Sequence, residues 1–191
     1  MDAPSRPMRA DARRNYERII ECAREAFAEH GTDAPLDDIA RRAGVGPGTL
    51  YRHFPNRTAL MEAVYRANIA SLAARAAEHR AALAPLPAFE AWFTDLVAYI
   101  LEKHGLATTL KAAIDRSSET FAVCSGLLAE AAGSVLGPVQ EAGIVRPEVS
   151  PRDILRLGHG IGAGCQAAAD SAPLLTEIAL AGLRVPPRAG A

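Results

Sequence analysis

The sequence has few aromatic side chains and few cysteines. Aromatic residues make up 5% of the 191 positions, and the three cysteines are odd in number and far apart, at Cys22, Cys124 and Cys165. No C-x-x-C pair occurs, so neither a zinc ribbon nor a disulfide framework is predicted. We expect three small, buried thiols in a reducing compartment.

Long apolar runs are also missing. The longest stretch without a charged residue, residues 157–169, has 13 residues and includes four glycines. That stretch is too short and too polar to cross a bilayer. Residues 1–10 carry three charged side chains and no apolar h-region, so no secretory signal is expected. The chain is therefore predicted to be cytoplasmic, without a membrane partner.

Sequence signatures of catalysis are lacking as well. There is no glycine-rich phosphate loop, no G-x-S-x-G and no H-E-x-x-H. A metal site built from His159 with Asp115 or Glu119 is not expected, because no two of these residues have the spacing of ligands on a helix. We predict no enzyme activity, no cofactor and no metal.

The residues that are present favour helices throughout. Apolar residues make up 49% and charged residues 23%, as in globular proteins, and about a fifth of the chain is alanine, the best helix former. Apolar positions recur every three or four residues, and no segment has the period of a strand. The predicted fold class is all-α.

Breakers and caps divide this pattern into helices. Gly31 and Gly44 are natural stops, Asn56 and Ser150 are natural N-caps, and Pro138 should kink or end its helix. Four glycines inside one helix are costly, and close contact with another helix is one reason for them. The predicted elements are residues 11–30, 37–43, 47–53, 57 to before 85, 89–105, a short piece at 110–114, 118–138, 151–170 and 173–183.

The segment from Leu36 to Phe54 contains a functional motif. Two short helices joined by the turn Gly44–Val45–Gly46 make a helix-turn-helix candidate, in which the second helix enters the DNA major groove. No acidic residue lies between Asp38 and Glu62, which favours phosphate binding. Charge would come from Arg41, Arg42, Arg52 and Arg57, and hydrogen-bond donors from Thr49, Tyr51 and His53.

The residues of this segment resemble those of a known family. Asp38-Ile39-Ala40, Ala43-Gly44-Val45, Gly48-Thr49-Leu50-Tyr51-Arg52-His53-Phe54 and Asn56-Arg57 are similar to the DNA-binding domain of TetR-family transcriptional regulators. The close resemblance covers residues 12–65. Gly46 stands where the family often has Ser or Thr, which removes a hydroxyl, and Arg57 replaces a frequent Lys.

The resemblance implies how the motif would meet an operator. Thr49, Tyr51, His53 and Arg57 would contact phosphates of double-stranded DNA, and Gly48 would allow a close approach of the backbone. Pro47, Gly48 and Arg52 would face or flank base edges. The apolar residues Ile39, Ala43, Leu50 and Phe54 would instead form the core of the domain.

The resemblance also implies a homodimer with a C-terminal domain that binds a small-molecule effector. The last two helices would pair with their copies, through Gly158, Gly162, Ala169, Leu175 and Ile178. Large aromatic residues are more often core than pocket, so both roles stay open for Trp92, Phe93 and Phe121. The pocket candidates are Trp92, Phe93, Leu96, His104, Phe121, Cys124, Leu128 and His159.

These inferences divide the chain into five parts. A disordered basic arm is predicted for residues 1–10, the helix-turn-helix domain for 11–56, a connecting helix for 57–84, the ligand-binding and dimerisation domain for 85–185, and a loose tail for 186–191. The predicted function is a ligand-responsive repressor. The alternative is a helical small-molecule binder or enzyme whose helix-turn-helix is incidental.

Overall fold

The computed structural model describes residues 6–101 and 118–186, and these ranges are helical, as predicted. A short 3-10 turn, Ala169–Ser171, precedes the last helix. The helices are α1 (Arg6–His30), α2 (Leu36–Arg42), α3 (Pro47–His53), α4 (Arg57–Ala82), α5 (Pro85–Leu101), α6 (Glu119–Glu141), α7 (Pro151–Gly164) and α8 (Ala172–Leu183).

The first three helices and the start of α4 enclose an apolar core. Four of its large members, Phe27, Ile39, Leu50 and Leu60, are at most 1% exposed. The turn between α2 and α3 depends on Gly44, whose φ of 64° favours glycine. The amide N–H groups of Gly44 and Val45 donate to the carbonyls of Arg41 and Ala40, which closes α2 with a Schellman motif.

The later helices form a bundle around the second half of α4. Helix α6 packs along α4, and α7 packs along α5. Trp92 lies at the centre with no exposed surface, and its indole N–H donates to the carbonyl of Leu72 at 2.9 Å. This hydrogen bond satisfies the one polar group of an otherwise apolar side chain.

One described helix, α6, is long and apolar enough to cross a membrane by length and composition alone. Its side chains Cys124, Ala132, Val135 and Val139 are buried in the helical bundle. Core helices of soluble bundles meet the same length and composition criteria.

The predicted N-terminal arm is wrong for residues 6–10, which already belong to α1. Pro7 lies in the first turn of that helix, where a missing N–H has no partner to lose. Residues 1–5 lie outside the described part. At the other end, the amide of Val185 donates to the carbonyl of Ile144 at 2.9 Å, and residues 187–191 of the predicted tail are not among those described.

Two predicted helix ends also differ. Helix α6 continues through Pro138 to Glu141, and the carbonyl of Pro138 accepts a hydrogen bond from Ala142. Proline lacks a donor but keeps its acceptor, so one further turn forms. Helix α7 has the predicted capping box at Ser150 but ends at Gly164, short of residue 170, because its glycines weaken helix propensity. The predicted end at residue 105 and the element at 110–114 fall outside the described ranges.

Candidate nucleic-acid interface and cavity

Helix α3 is anchored by one face and presents the other to solvent. Leu50 is fully buried and Phe54, four residues later, is 2% exposed, so both belong to the core as predicted. On the opposite side, Pro47, Gly48 and Arg52 are exposed, and Tyr51 keeps 47% of its surface. The anchored face fixes the direction in which the exposed face points.

The glycines at the start of α3 are not required by packing within the chain. A Cβ atom added at Gly46 or Gly48 would meet no atom within 4 Å. Gly46 occupies the N-cap position without a side-chain hydrogen bond, as its lack of a hydroxyl predicts. Because the chain leaves this surface open, a partner backbone can approach it closely.

Two of the four predicted arginines are paired with carboxylates. Arg41 bonds to Asp38 at 2.7 Å, and Arg42 bonds to Glu29 of α1 at 2.8 Å. The hydrogen bond that Arg42 donates to the Glu29 carboxylate raises the pKa of Arg42. The interpretation of an arginine cluster without acidic neighbours is therefore wrong for these two, because the acids stand just outside the acid-free segment or on another helix.

The other two arginines differ from each other. Nη1 of Arg57 donates to the carbonyls of Thr32 and Ala34, both at 2.6 Å, and so ties α4 to the loop after α1. Arg52 has no hydrogen bond or ion pair with any residue that the structure describes. Of the four guanidinium groups, that of Arg52 is thus the one most available to an outside anion.

Aromatic packing holds the end of α3. The His53 ring lies edge-on to Tyr16 of α1, with centroids 6.0 Å apart, and the rings of Tyr16 and Phe54 are 5.0 Å apart. His53 is therefore half-buried against the core, and Thr49 is half-buried as well. Tyr51 is the more accessible donor of the helix.

A second candidate site is a cavity of about 800 Å³ among α4, α5, α6 and α7. Burial raises the pKa of the Tyr65 phenol to about 12, so it lines this space as a neutral hydroxyl. The described lining consists of Tyr65, Ile69, Leu96, Tyr99, Ile100, Phe121, Ala122, Ser125, Gly126, Leu128, Ala129, Arg152, Leu155, Arg156 and His159.

The lining agrees with the predicted pocket in part. Leu96, Phe121, Leu128 and His159 line the cavity, whereas His104 lies outside the described residues. The prediction is wrong for three residues, which are not in the lining because they point into the packed core. These are Trp92, Phe93 and Cys124, at most 2% exposed.

Sequence reasoning missed the basic side of the cavity. Arg152, Arg156 and His159 follow one another at intervals of four and three residues, which places them on one face of α7. That spacing could have been read from the sequence. The sequence does not show that this face borders a cavity.

Two of the predicted dimer contacts are contacts within the chain. A Cβ at Gly158 would lie 2.6 Å from Cδ2 of Leu96, and one at Gly162 would lie 2.5 Å from Cβ of Ile100. Their assignment to a subunit interface is wrong, since α5 of the same chain already covers them. Ala169, Leu175 and Ile178 are exposed on the surface, and their dimer role stays a prediction.

Both parts of the chain match models of known protein families. Residues 19–64 match the family described as bacterial regulatory proteins, tetR family. Residues 84–185 match the family described as transcriptional regulator SbtR-like, C-terminal domain.

Solved structures are similar over nearly the whole chain. A TetR transcriptional regulator from Streptomyces coelicolor is 33% identical, with a TM-score of 0.75 over 90% of this chain and 99% of that one. A TetR transcription regulatory protein from Mycobacterium vanbaalenii is also 33% identical, with a TM-score of 0.71 over 94% and 100%. Both parts of the fold therefore occur together in one solved architecture.

Similarity to curated relatives is limited to shorter segments. An uncharacterized HTH-type transcriptional regulator of Pseudomonas putida is 43% identical over 61 residues, which are 31% of this chain and 46% of that protein. The chain thus spans less than half the length of this relative.

Proposed function

Because the chain belongs to the TetR family of transcriptional regulators, we propose that two copies bind one double-stranded DNA operator in the cytoplasm. We propose further that a small-molecule effector in the cavity among α4, α5, α6 and α7 releases them, so that the protein acts as a repressor. The operator, the effector and the homodimer are parts of this proposal.

The observation that carries the proposal is the presentation of α3. Its apolar residues Leu50 and Phe54 anchor it in the core, and its other face is open. In a helix-turn-helix such a face lies in the major groove. Arg52 would reach base edges or phosphates there, and the Tyr51 hydroxyl would donate to a phosphate oxygen.

The remaining members of the predicted interface support this arrangement. Exposed ion pairs contribute only about 0–1 kcal/mol to stability. Phosphates can therefore replace the carboxylates as the partners of Arg41 and Arg42. A guanidinium has five N–H donors, and Arg57 uses one nitrogen on the loop, which leaves others for a phosphate. Gly46, Pro47, Gly48, Thr49 and His53 complete the proposed surface.

The cavity borders the same apolar cluster that supports α3. Tyr65 and Ile69 line the cavity and belong to the apolar cluster that includes Leu50. Phe121 and Leu128, also in the lining, pack against that cluster. A ligand that shifts these walls would therefore displace the support of α3, provided that it binds the two conformations with different affinity.

Polar contacts join the start of α6 to α4. Nη1 of Arg66 donates to Oγ1 of Thr120 at 3.0 Å, and the Thr120 hydroxyl donates to Glu62 at 3.1 Å. Thr120 directly precedes Phe121, which lines the cavity. Movement at the start of α6 would thus be transmitted to the helix that enters the DNA-binding unit.

The proposal is tested by titrating the protein onto DNA from the region upstream of its own coding sequence. Selective binding should weaken steeply between about 50 and 200 mM salt, because several phosphate contacts release counterions. Arg52→Ala should cost about 1–3 kcal/mol and change sequence preference, while Tyr51→Phe should cost about 1 kcal/mol on all sequences.

The matched control is Arg80→Ala, which removes the same charge from an exposed position in the last turn of α4. It should leave DNA binding unchanged. Wild-type affinity in both the Arg52 and Tyr51 variants would contradict the proposed interface. If, in addition, a random-sequence DNA pool yielded no preferred site, the proposal of an operator would fall.

A further inference from the structure

The cavity has one basic side, which is exposed to solvent, and otherwise largely apolar walls. Helix α7 contributes Arg152, Arg156 and His159, which lie on one face of that helix. The facing walls, from α4, α5 and α6, are largely aliphatic and aromatic. No Asp or Glu occurs among the described residues of the lining.

The two arginines differ in how far their charge is already compensated. Nη1 of Arg156 bonds to Oδ1 of Asp153 at 3.0 Å. Oδ2 of that carboxylate accepts a hydrogen bond from the amide of Ser150 at 3.1 Å, and its pKa is lowered mainly by hydrogen bonds from Ser150. One oxygen of Asp153 thus belongs to the helix cap, and the other accepts a hydrogen bond from only one nitrogen of Arg156. The guanidinium of Arg152 has no partner among the described residues.

These features select a class of ligand. Arg152 and Arg156 are exposed at the edge of the cavity, so a neutral apolar molecule would fill the space without using their charge. A cationic amphiphile would meet charges of its own sign. An anionic group can accept charge-assisted hydrogen bonds from Arg152 and Arg156, and its apolar body can bury itself against the opposite walls.

We propose that the effector is an amphipathic anion, with its carboxylate, sulfonate or phosphate group at Arg152 and Arg156 and its apolar body against Ile69, Leu96 and Phe121. This inference rests on the proposed function, since it names the chemical class that the cavity of the regulator takes.

The test compares two fluorescent probes that share one apolar body. Anilinonaphthalene sulfonate carries the anionic group, and phenylnaphthylamine lacks it. Both are titrated onto the full-length protein without DNA. We expect the sulfonate to bind at least about tenfold more tightly, which corresponds to one charge-assisted contact. Its affinity should fall as salt is raised, while that of the neutral probe should not.

Charge-removing variants locate the anionic group. Arg152→Gln, an exposed change that leaves no partner behind, should weaken the sulfonate about tenfold and leave the neutral probe unchanged. Arg156→Gln should act in the same direction. The control is Arg80→Gln, on α4 and outside the lining, which should change neither probe. Equal affinity for both probes, or a sulfonate affinity that Arg152→Gln does not alter, would overturn the inference.

A filled cavity separates binding inside from binding on the surface. Ala129→Trp adds an indole to the wall, and both probes should then lose their affinity. A sulfonate signal that persisted in this folded variant would place the probe elsewhere and would also overturn the inference.

Failure here can be distinguished from failure of the proposed function. Equal probe affinities together with intact operator binding would reject the anionic effector alone. If the DNA titration found no operator but the protein still preferred the sulfonate probe, only the proposed DNA-binding function would be rejected.

Discussion

The helix-turn-helix unit and the C-terminal bundle use their interiors in opposite ways. In the first, the core around Leu50 is filled, and the candidate function lies on the outer face of α3. In the second, four helices border a cavity of about 800 Å³ that opens to solvent beside exposed residues of α6 and α7. A surface that reads another molecule needs a rigid support, whereas a binding site inside a bundle requires that packing be left incomplete.

The outer surfaces differ as well. On α8 the side chains of Leu174 and Ile178 are 60% and 57% exposed. Apolar surface of this kind suits the predicted contact with a second copy. The N-terminal unit exposes a polar tyrosine and arginines instead, as expected of a surface that meets phosphates.

The largest effect is expected from a variant that removes a side chain from the filled core. Leu50→Ala should lower the free energy of unfolding by about 2–5 kcal/mol, because the filled core cannot close around the lost side chain, and DNA binding should be lost with it. Leu155→Ala, at the cavity wall, should cost less than about 2 kcal/mol, since that side chain already borders open space. Urea denaturation measures both, and equal losses would refute the contrast between the two interiors.

A second pair of variants sharpens the comparison within the bundle. Gly162→Ala should destabilise by about 1–3 kcal/mol, because its Cβ would lie 2.5 Å from that of Ile100. Gly160→Ala has open space around it and should stabilise by about 0.5–1 kcal/mol. Thermal unfolding of the two variants provides the comparison. A loss at Gly160 as large as that at Gly162 would mean that the open face of α7 is packed in solution.

The smallest effect concerns the cap of α7. The hydrogen bonds from Ser150 lower the pKa of Asp153 in the folded state. Its stabilising contribution is therefore present above the ordinary carboxyl pKa and is lost as pH falls through the lowered value. Asp153→Asn should be slightly less stable at neutral pH, and its stability should fall less steeply in acid. Asp170→Asn is the control, and an unchanged acid profile for Asp153→Asn would argue against the cap.

The predictions from sequence were best where the cause is local. The stops at Gly31 and Gly44 and the cap at Ser150 depend on neighbours a few residues away. The spacing of four between Leu50 and Phe54 likewise placed both on one helix face. The resemblance of residues 36–54 to a known motif was enough to indicate the family, which the match over residues 19–64 confirms.

Predictions failed where distant segments meet. Arg42 lies within the acid-free segment but pairs with Glu29 of another helix. The glycines at 158 and 162 correctly indicated a close helix contact, but the sequence could not tell α5 of the same chain from a second subunit. From the sequence alone, Trp92 could line the pocket or belong to the core. Its complete burial and its hydrogen bond to the carbonyl of Leu72 place it in the core.

The sequence by itself determined the all-helical class, the helix ends set by glycine and by caps, and the chemistry of α3, because these follow from backbone conformation and from side chains within one or two turns. Only the tertiary structure decided which arginines of the motif are paired with carboxylates, which aromatics are core, and that Arg152 and Arg156 border a cavity. Helix periodicity states that a face is covered or exposed, but the partner of that face is set by the packing of helices far apart in the chain.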